Sequence, residues 1–402
     1  MTPELMWQGG RGSGVGITKD NKRVIYNVAI PDIAQNKFIR TSYIVNITGG
    51  DSEVVNNYEQ LLTDKNVSPD GKYQLKSNTV KIEKVNGSDF YPELEKSTAQ
   101  IYTQLDYRHW DTWNDGTYNH VFFGPAMAAD SSYRDIMQNE AYDCPQKPFG
   151  GDEDFIWSPD GRYILYVSKK LKGTAAVQST NTDIYQYNLN TGKTINLTPD
   201  NKGYDTNPTF SINGDLAYLS MKTDGYESDK NDIKVISDGV TYNLTAHWDE
   251  TVLSYLWAND GKSVFFTAAK DGTIQLFEVD MTGDSGKTPA LRQHTYGDWD
   301  INAIVGQSND LMVLTRVSLN RAAELYTYHL TSKVWHQITD VNKSIYDSVG
   351  KSKTERRFVT TSDNKKMLVW VVYPPDFDPG KKYPALLYCQ GGPQSALTQF
   401  YS

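Results

Sequence analysis

The sequence predicts an all-β fold, and three observations predict it. A short turn phrase recurs along the chain at a spacing of roughly 45 to 53 residues, the period of a four-stranded propeller blade. Around each copy, apolar and polar residues alternate with period two, and no long helical periodicity competes. Beyond about residue 343 the phrase gives way to two apolar runs and a Gly-Gly-Pro turn. Together these predict a seven-bladed β-propeller over residues 1–343, followed by the first strands of an α/β domain over 344–402. A long sandwich does not repeat at this period, and a β-helix repeats at a much shorter one.

The turn phrase is an apolar or aromatic residue, a Ser-like residue, a variable position, Asp or Asn, Gly, then a strand. Its best copy is Trp157-Ser158-Pro159-Asp160-Gly161-Arg162-Tyr163. Others run from Val67 to Tyr73, Phe210 to Tyr218 and Trp257 to Phe266, with weaker ones at Thr18–Tyr26, Trp113–Gly116 and Gln307–Leu311. Asp-Gly and Asn-Gly between apolar runs are strong hairpin signals because the turn needs positive φ. Each unit carries a second hairpin downstream, such as Asp183–Leu189 into Thr194–Thr198, and closes on Leu-Thr or Ile-Thr. A short helix is expected near Ser131 to Glu140.

Composition narrows the function. The 402 residues carry 40 Lys and Arg against 49 Asp and Glu, a net charge of −9. An acidic chain without a basic cluster lacks the footprint of a nucleic-acid binder. No apolar stretch reaches membrane-spanning length. Aromatic residues make up 12%, too many for a disordered chain. Two cysteines, Cys144 and Cys389, exclude a disulfide framework. Six scattered histidines show no metal-ligand spacing, so neither a metal nor a cofactor is expected. The start, Met1 to Trp7, has neither a basic segment nor an apolar one, so the chain is cytosolic or a leader is absent from it.

After residue 343, Met367–Tyr373 reads as a strand. Tyr383–Cys389 reads as a strand buried on both faces, ending in Gln390-Gly391-Gly392-Pro393. Such a strand needs cover, so the catalytic half is expected to be interrupted at Ser402. Four pieces, Arg108–Gly116, Asn181–Tyr185, Tyr204–Pro208 and Tyr383–Ser395, together with the repeat, make the chain resemble the prolyl oligopeptidase family of serine peptidases. The branch it resembles is that of the bacterial dipeptidyl and acylaminoacyl peptidases.

The resemblance implies a propeller that screens short peptide substrates for an α/β-hydrolase domain. It also implies a Ser-Asp-His triad beyond residue 402, a periplasmic or secreted location, and room for a homodimer of the full-length protein. No Gly-x-Ser-x-Gly motif is present and the last histidine is His336, so this chain alone is expected to be inactive. Gln390, Gly391 and Gly392 stand where the family's oxyanion loop stands. Relatives often carry His or Tyr at the position of Gln390, which leaves the backbone donors. On its own the glycine triplet is only a tight turn. The other reading is a TolB-like interaction module without catalysis, for which the tail would be a polar linker.

Other motifs carry less. Gly283-Asp284-Ser285-Gly286 and Gly286-Lys287-Thr288 are expected to be a surface loop. Arg108-His109-Trp110-Asp111, with Trp113, is expected to pack as an aromatic strand between blades. Asp152-Glu153-Asp154 is expected to be a solvated turn, and Cys144 has no activating partner in sequence.

Overall fold

The structure is a computed structural model that describes residues 2–281, 288–389, 391 and 395–401. It divides into two compact units, Met1–Thr63 with Glu250–Ser402, and Asp64–Asp249.

The first unit opens with the short helix α1 (Pro3–Trp7), capped by the Thr2 hydroxyl. Its first sheet has four antiparallel strands in chain order: β1 (Arg11–Ile17), β2 (Arg23–Asp32), β3 (Lys37–Asn46) and β4 (Glu53–Val54).

The second unit begins with β5 (Tyr73–Lys81). A long connection then holds the helix α2 (Gly87–Phe90) and the two-residue strands β6 (Arg108–His109) and β7 (Thr112–Trp113). Next, β8 (Thr117–Pro125) returns to pair with β5 from Tyr73↔Pro125 to Lys81↔Thr117, and β9 (Arg134–Asp135) adds to its far edge. The next sheet is β10 (Phe155–Trp157), β11 (Tyr163–Ser168), β12 (Asp183–Asn188) and β13 (Thr194–Asn196), with helix α3 (Gly173–Gln178) between β11 and β12. The last sheet of this unit is β14 (Asp205–Phe210), β15 (Leu216–Ser220), β16 (Asp232–Ser237) and β17 (Val240–Asn243).

The first unit then resumes. Its fifth sheet is β18 (Val252–Trp257), β19 (Ser263–Lys270), β20 (Thr273–Asp280) and β21 (Leu291–Gln293). The sixth is β22 (Asp300–Ser308), β23 (Leu311–Ser318), β24 (Arg321–His329) and β25 (Trp335–Gln337). Helix α4 (Lys343–Ser348) leads to a separate hairpin, β26 (Thr354–Thr360) and β27 (Lys366–Val372).

The described residues therefore form six blade-like sheets, where turn spacing predicts seven. The turns at Asp70 and Asp115 serve one sheet, because β8 pairs with β5 instead of starting a blade. The helix expected near Ser131–Glu140 is a 3-10 turn over Asp130–Ser132, followed by β9.

The turn phrase closes on itself. Ser68 Oγ donates to Asp70 at 2.7 Å, Asp70 accepts the Lys72 amide at 3.1 Å, and Ser68 Oγ accepts the Tyr73 amide at 2.9 Å. Ser158, Asp160, Arg162 and Tyr163 repeat the pattern, as do Thr18, Asp20, Lys22 and Arg23. Only the residue after the Asp is left-handed, at φ 73° for Gly71 and 66° for Gly161. This is a type I turn ending in one left-handed residue. Turns with positive φ at both positions occur at Asp238-Gly239 and Asp271-Gly272.

The closing Thr of a unit has an equally local role. Thr198, Thr245, Thr295 and Thr339 each accept, on Oγ1, a backbone amide of their own sheet's third strand, from Ile184, Ile233, Leu276 and Leu325 at 2.8–3.1 Å. Thus each of these four sheets is locked by hydrogen bonds made within one stretch of sequence.

Between sheets the cohesion is apolar. In the second unit Leu75 and Val121 pack with Trp157, Ile164 and Tyr166, and Leu165 and Ile184 with Leu216 and Tyr218. In the first unit the fifth and sixth sheets share Phe265, Leu276, Met312 and Leu314. The first sheet packs on the sixth through Val24, Tyr26 and Val45 against Val313, Leu325 and Ile338. That approach is close: a Cβ on Gly14 would lie 2.3 Å from Val305 Cγ2. Asn342 ties the seam, accepting the Gly10 amide at 2.7 Å and donating to the Gly10 carbonyl at 2.8 Å.

Asn342→Ala leaves both buried Gly10 groups unpaired. It is expected to cost about 2 to 4 kcal/mol, read as a lower urea midpoint of the first unit; an unchanged midpoint contradicts this role for the seam.

His120, fully buried in β8, meets acceptors at both ring nitrogens: Asp135 at 2.8 Å and the Glu140 carbonyl at 2.8 Å. Burial pulls its pKa down, but the Asp135 and Glu140 interactions outweigh that and raise it above 6.5. The folded state thus holds this proton more tightly than the unfolded chain. The resulting stability is complete below pH 6.5 and is lost as pH rises through the folded value. Urea midpoints of wild type and His120→Gln, compared from pH 6 upward, should converge; a constant gap excludes the charged imidazole.

Candidate functional site

The residues after the sixth sheet are fastened to one corner of the first unit. The Ala322 amide donates to Tyr346 Oη at 2.7 Å, and Asn320 exchanges two hydrogen bonds with Ser352 at 2.8 and 3.2 Å. One face of the β26–β27 hairpin then meets the tight β19–β20 turn. Arg356 donates to the Asp271 carbonyl at 2.9 Å and to Asp298 at 3.1 Å, and the Trp370 indole donates to the Gly272 carbonyl at 3.1 Å. Gly272 is needed here for its φ of 79° and because a Cβ would lie 2.8 Å from Leu368. Phe358, Val359, Met367 and Val372 of the hairpin remain exposed.

Tyr383–Cys389 forms no strand, which corrects the sequence expectation. Leu386 and Leu387 are fully open and Tyr388 is mostly so. The physical reason is pairing: among the described residues no strand lies beside this run to satisfy its backbone. Of the expected oxyanion residues, Gln390 and Gly392 lie outside the described residues, as does the Gly283–Lys287 loop. Gly391 is exposed, with open space where a Cβ would be, and its carbonyl accepts from Ser395 Oγ at 3.0 Å.

Four residues on, the chain is buried again. Thr398 and Gln399 sit against the start of β22 and the β23–β24 turn. Gln399 Oε1 accepts the Leu319 amide at 3.3 Å, and Asp300 Oδ1 accepts the Ile274 amide at 2.8 Å. Burial pushes the Asp300 carboxyl pKa up, while the Ile274 amide, the Thr398 hydroxyl and the Gln399 amide favour its ionised form. Asp300 Oδ2 is buried and has no hydrogen-bond partner among the described residues. No motif in the sequence marks this tether; its signal is two polar residues between Leu397 and Phe400.

The second unit offers a different surface. The β6–β7 hairpin is expected to pack between blades, but it projects: Trp110 is 70% exposed and Phe149, 5.3 Å from it ring to ring, 73%. The connection between β5 and β8 is too long to lie flat in a sheet, so its aromatics stack on one another. Tyr102, Tyr107 and Trp113 do so at 5.3–5.9 Å, and His109 lies 5.0 Å from Trp110. Behind the hairpin is a hollow of about 370 Å³ lined by Asp106, His109, Trp113, Tyr118, Tyr142 and Asp143. Asp106 has φ +71°, and burial raises its pKa against the pull of Lys169 and His109, with Asp143 and Glu83 adding to the rise. Burial likewise raises Asp143, against the Asn119 amide and Lys147.

Asp152 and Glu153 are exposed, as a solvated turn requires. Asp154 is not: it is buried, accepts the Gln146 amide at 2.8 Å, and burial lifts its pKa to about 6. It is a structural carboxylate, not part of a solvated turn. Cys144 is buried and its Sγ lies 3.6 Å from the Asp154 carbonyl; burial pushes the thiol well above its ordinary pKa, which makes it inert. Among the described residues no three His, Cys, Asp or Glu gather as a metal site, and no helix is long and apolar enough to cross a membrane.

Antiparallel four-stranded sheets, each built from consecutive strands, are the blade unit of a β-propeller. No protein-family profile matches the chain. It is 36% identical to dipeptidyl-peptidase 5 of Porphyromonas gingivalis and 32% identical to that of Porphyromonas endodontalis, over its whole length in both cases. It spans 65% and 64% of those relatives. Its fold is that of the acylaminoacyl peptidase of Pyrococcus horikoshii, with a TM-score of 0.71 at 15% identity over 99% of this chain and 63% of that one. The chain is thus similar along its whole length to dipeptidyl-peptidase 5 and spans less than two thirds of these relatives, with a fold similar to that of an acylaminoacyl peptidase.

Trp370→Ala removes the indole bond and the packing on Gly272. Limited proteolysis should then cut within residues 354–373 several-fold faster, with the urea midpoint of the sheets unchanged; equal cutting rates would mean the hairpin is held by other contacts.

Proposed function

We propose that this chain is the propeller (1–343) and the opening stretch of the hydrolase domain (344–402) of a serine peptidase acting on short peptides. Release is of the dipeptidyl or acylaminoacyl type. The observation that carries the reading is similarity to dipeptidyl-peptidase 5 along the whole chain, which accounts for 65% of that relative. A nucleophilic Ser with its His and Asp would lie beyond residue 402. The His takes the Ser proton as Oγ attacks the peptide carbonyl, and returns it to the leaving amine as the acyl-enzyme forms; water then releases the acyl group by the same route.

In this reading the backbone amides around Gln390, Gly391 and Gly392 supply donors to the developing oxyanion. Losing one such donor typically costs roughly 3 to 4 kcal/mol of transition-state stabilisation. The open Leu386–Tyr388 run supports the reading, because an apolar extended segment of this kind is covered once neighbouring strands are present. Short peptides are the partners proposed, with a periplasmic or secreted location and a homodimer of the full-length enzyme.

The test compares the 402-residue polypeptide with one extended to its relatives' length, using dipeptidyl and acyl-aminoacyl fluorogenic substrates and a fluorophosphonate probe. Turnover and labelling are expected only in the extended polypeptide. Hydrolysis by the 402-residue polypeptide would refute the triad's placement, and an inert extended polypeptide would refute the peptidase reading.

A further inference from the structure

We infer that Arg316 is the centre of an anion site on the sixth sheet, and that its ligand is a carboxylate held in the guanidinium plane beside the rings of Trp299, Tyr326 and Trp335. The site lies wholly within the first unit, and it stands or falls independently of the peptidase reading.

Arg316 follows Met312 and Leu314 on the face of β23 that packs toward the fifth sheet. Strand register sets Ile301 opposite it on one side and Glu324 on the other. A cross-strand ion pair with Glu324 would be the ordinary outcome, but that carboxylate is already used. Glu324 is buried, and it accepts the Thr339 hydroxyl at 2.7 Å and the Val341 amide at 2.9 Å. Elsewhere in the same unit Arg292, Arg356 and Arg357 each meet a carboxylate. Among the described residues Arg316 meets none and makes no hydrogen bond.

Aromatic rings hold it instead. The guanidinium carbon lies 4.2 Å from the centre of the Trp299 ring, 5.2 Å from Tyr326 and 5.8 Å from Trp335. Trp335 stands nearly perpendicular to both of the others, at 81° and 84°, so the three rings wall the cation on different sides. Ring faces attract a cation, yet they leave the fork of N–H donors, which lies in the guanidinium plane, for an acceptor. Burial works against the charge, Arg321 adds to that effect, and only Tyr326 opposes it. The Arg316 nitrogens still reach the surface, since none is among the sealed, unpaired polar atoms. A half-buried fork fixed by stacking and short of negative charge is arranged for a bidentate, charge-assisted bond to an oxoanion. The walls select among oxoanions. A planar carboxylate keeps both oxygens in the plane of the fork, whereas a tetrahedral phosphate turns others toward ring faces that are themselves negative.

The test titrates the 402-residue polypeptide with acetate, with the tripeptide Ala-Ala-Phe, with the C-terminal amide of that tripeptide and with inorganic phosphate. Binding is read by NMR from the indole N–H signals of Trp299 and Trp335. Acetate and the tripeptide acid should move these signals, and the acid should bind about 10-fold tighter than its amide. Equal affinity for acetate and the tripeptide assigns the site to free carboxylates, and tighter binding of the tripeptide assigns it to peptide carboxyl ends; either upholds the proposal. Arg316→Gln should abolish the preference for acid over amide. Arg316→Lys, which keeps the charge but not the fork, should retain only part of it, and it decides the matter if the Gln variant does not fold. Signals unmoved by every carboxylate, equal binding of acid and amide, or an undiminished preference in the variants overturns the site. Phosphate bound as tightly as acetate overturns the carboxylate assignment.

Discussion

A four-stranded sheet with apolar residues on both faces cannot stand by itself, and the first unit is organised by that requirement. The first sheet is finished by residue 54, yet Val24, Tyr26 and Val45 are covered by Val313, Leu325 and Ile338. Until the sixth sheet exists, the first has nothing to lean on. The Asn342–Gly10 pair, spanning 332 residues of sequence, marks the point where the two meet. Such long-range closure is slow to form and sensitive to small volumes, as the glycine at position 14 shows.

What was legible in the sequence is what is local. The Ser-x-Asp-Gly phrase announces a turn because its hydroxyl and carboxylate bond amides within five residues, and the closing Thr announces a sheet's end for the same reason. The number of sheets was less legible, because a local turn does not say which strands it joins; Asp115 heads a strand that returns to β5. The place of the Arg108–Trp113 cluster is hard to read from sequence on similar grounds. Aromatic composition does not distinguish a ring wedged between sheets from rings stacked on a protruding hairpin. Tyr383–Cys389 has the composition of a buried strand, but composition supplies no hydrogen-bond partners.

The contact that holds Gln399 is marked by no motif, because it joins residues 80 apart through one side-chain amide. Asp154 and Asp300 show the same chemistry in different settings. Each is buried with its pKa raised, and each carboxylate accepts a backbone amide, from Gln146 and from Ile274 respectively. A buried acid here is a splint, and its strength depends on the donors around it.

Every four-stranded sheet is woven from one uninterrupted stretch of chain, with no strand lent to a neighbour. Modules of this kind join like stacked tiles, chiefly through shape and greasiness, with a few polar ties such as Asn342–Gly10. A tile of three strands, the β5–β8–β9 sheet, forms in the same chain without rethreading the others. The edge that meets the β26–β27 hairpin has far less latitude, since Asp271, Gly272 and Asp298 each accept a hydrogen bond from it.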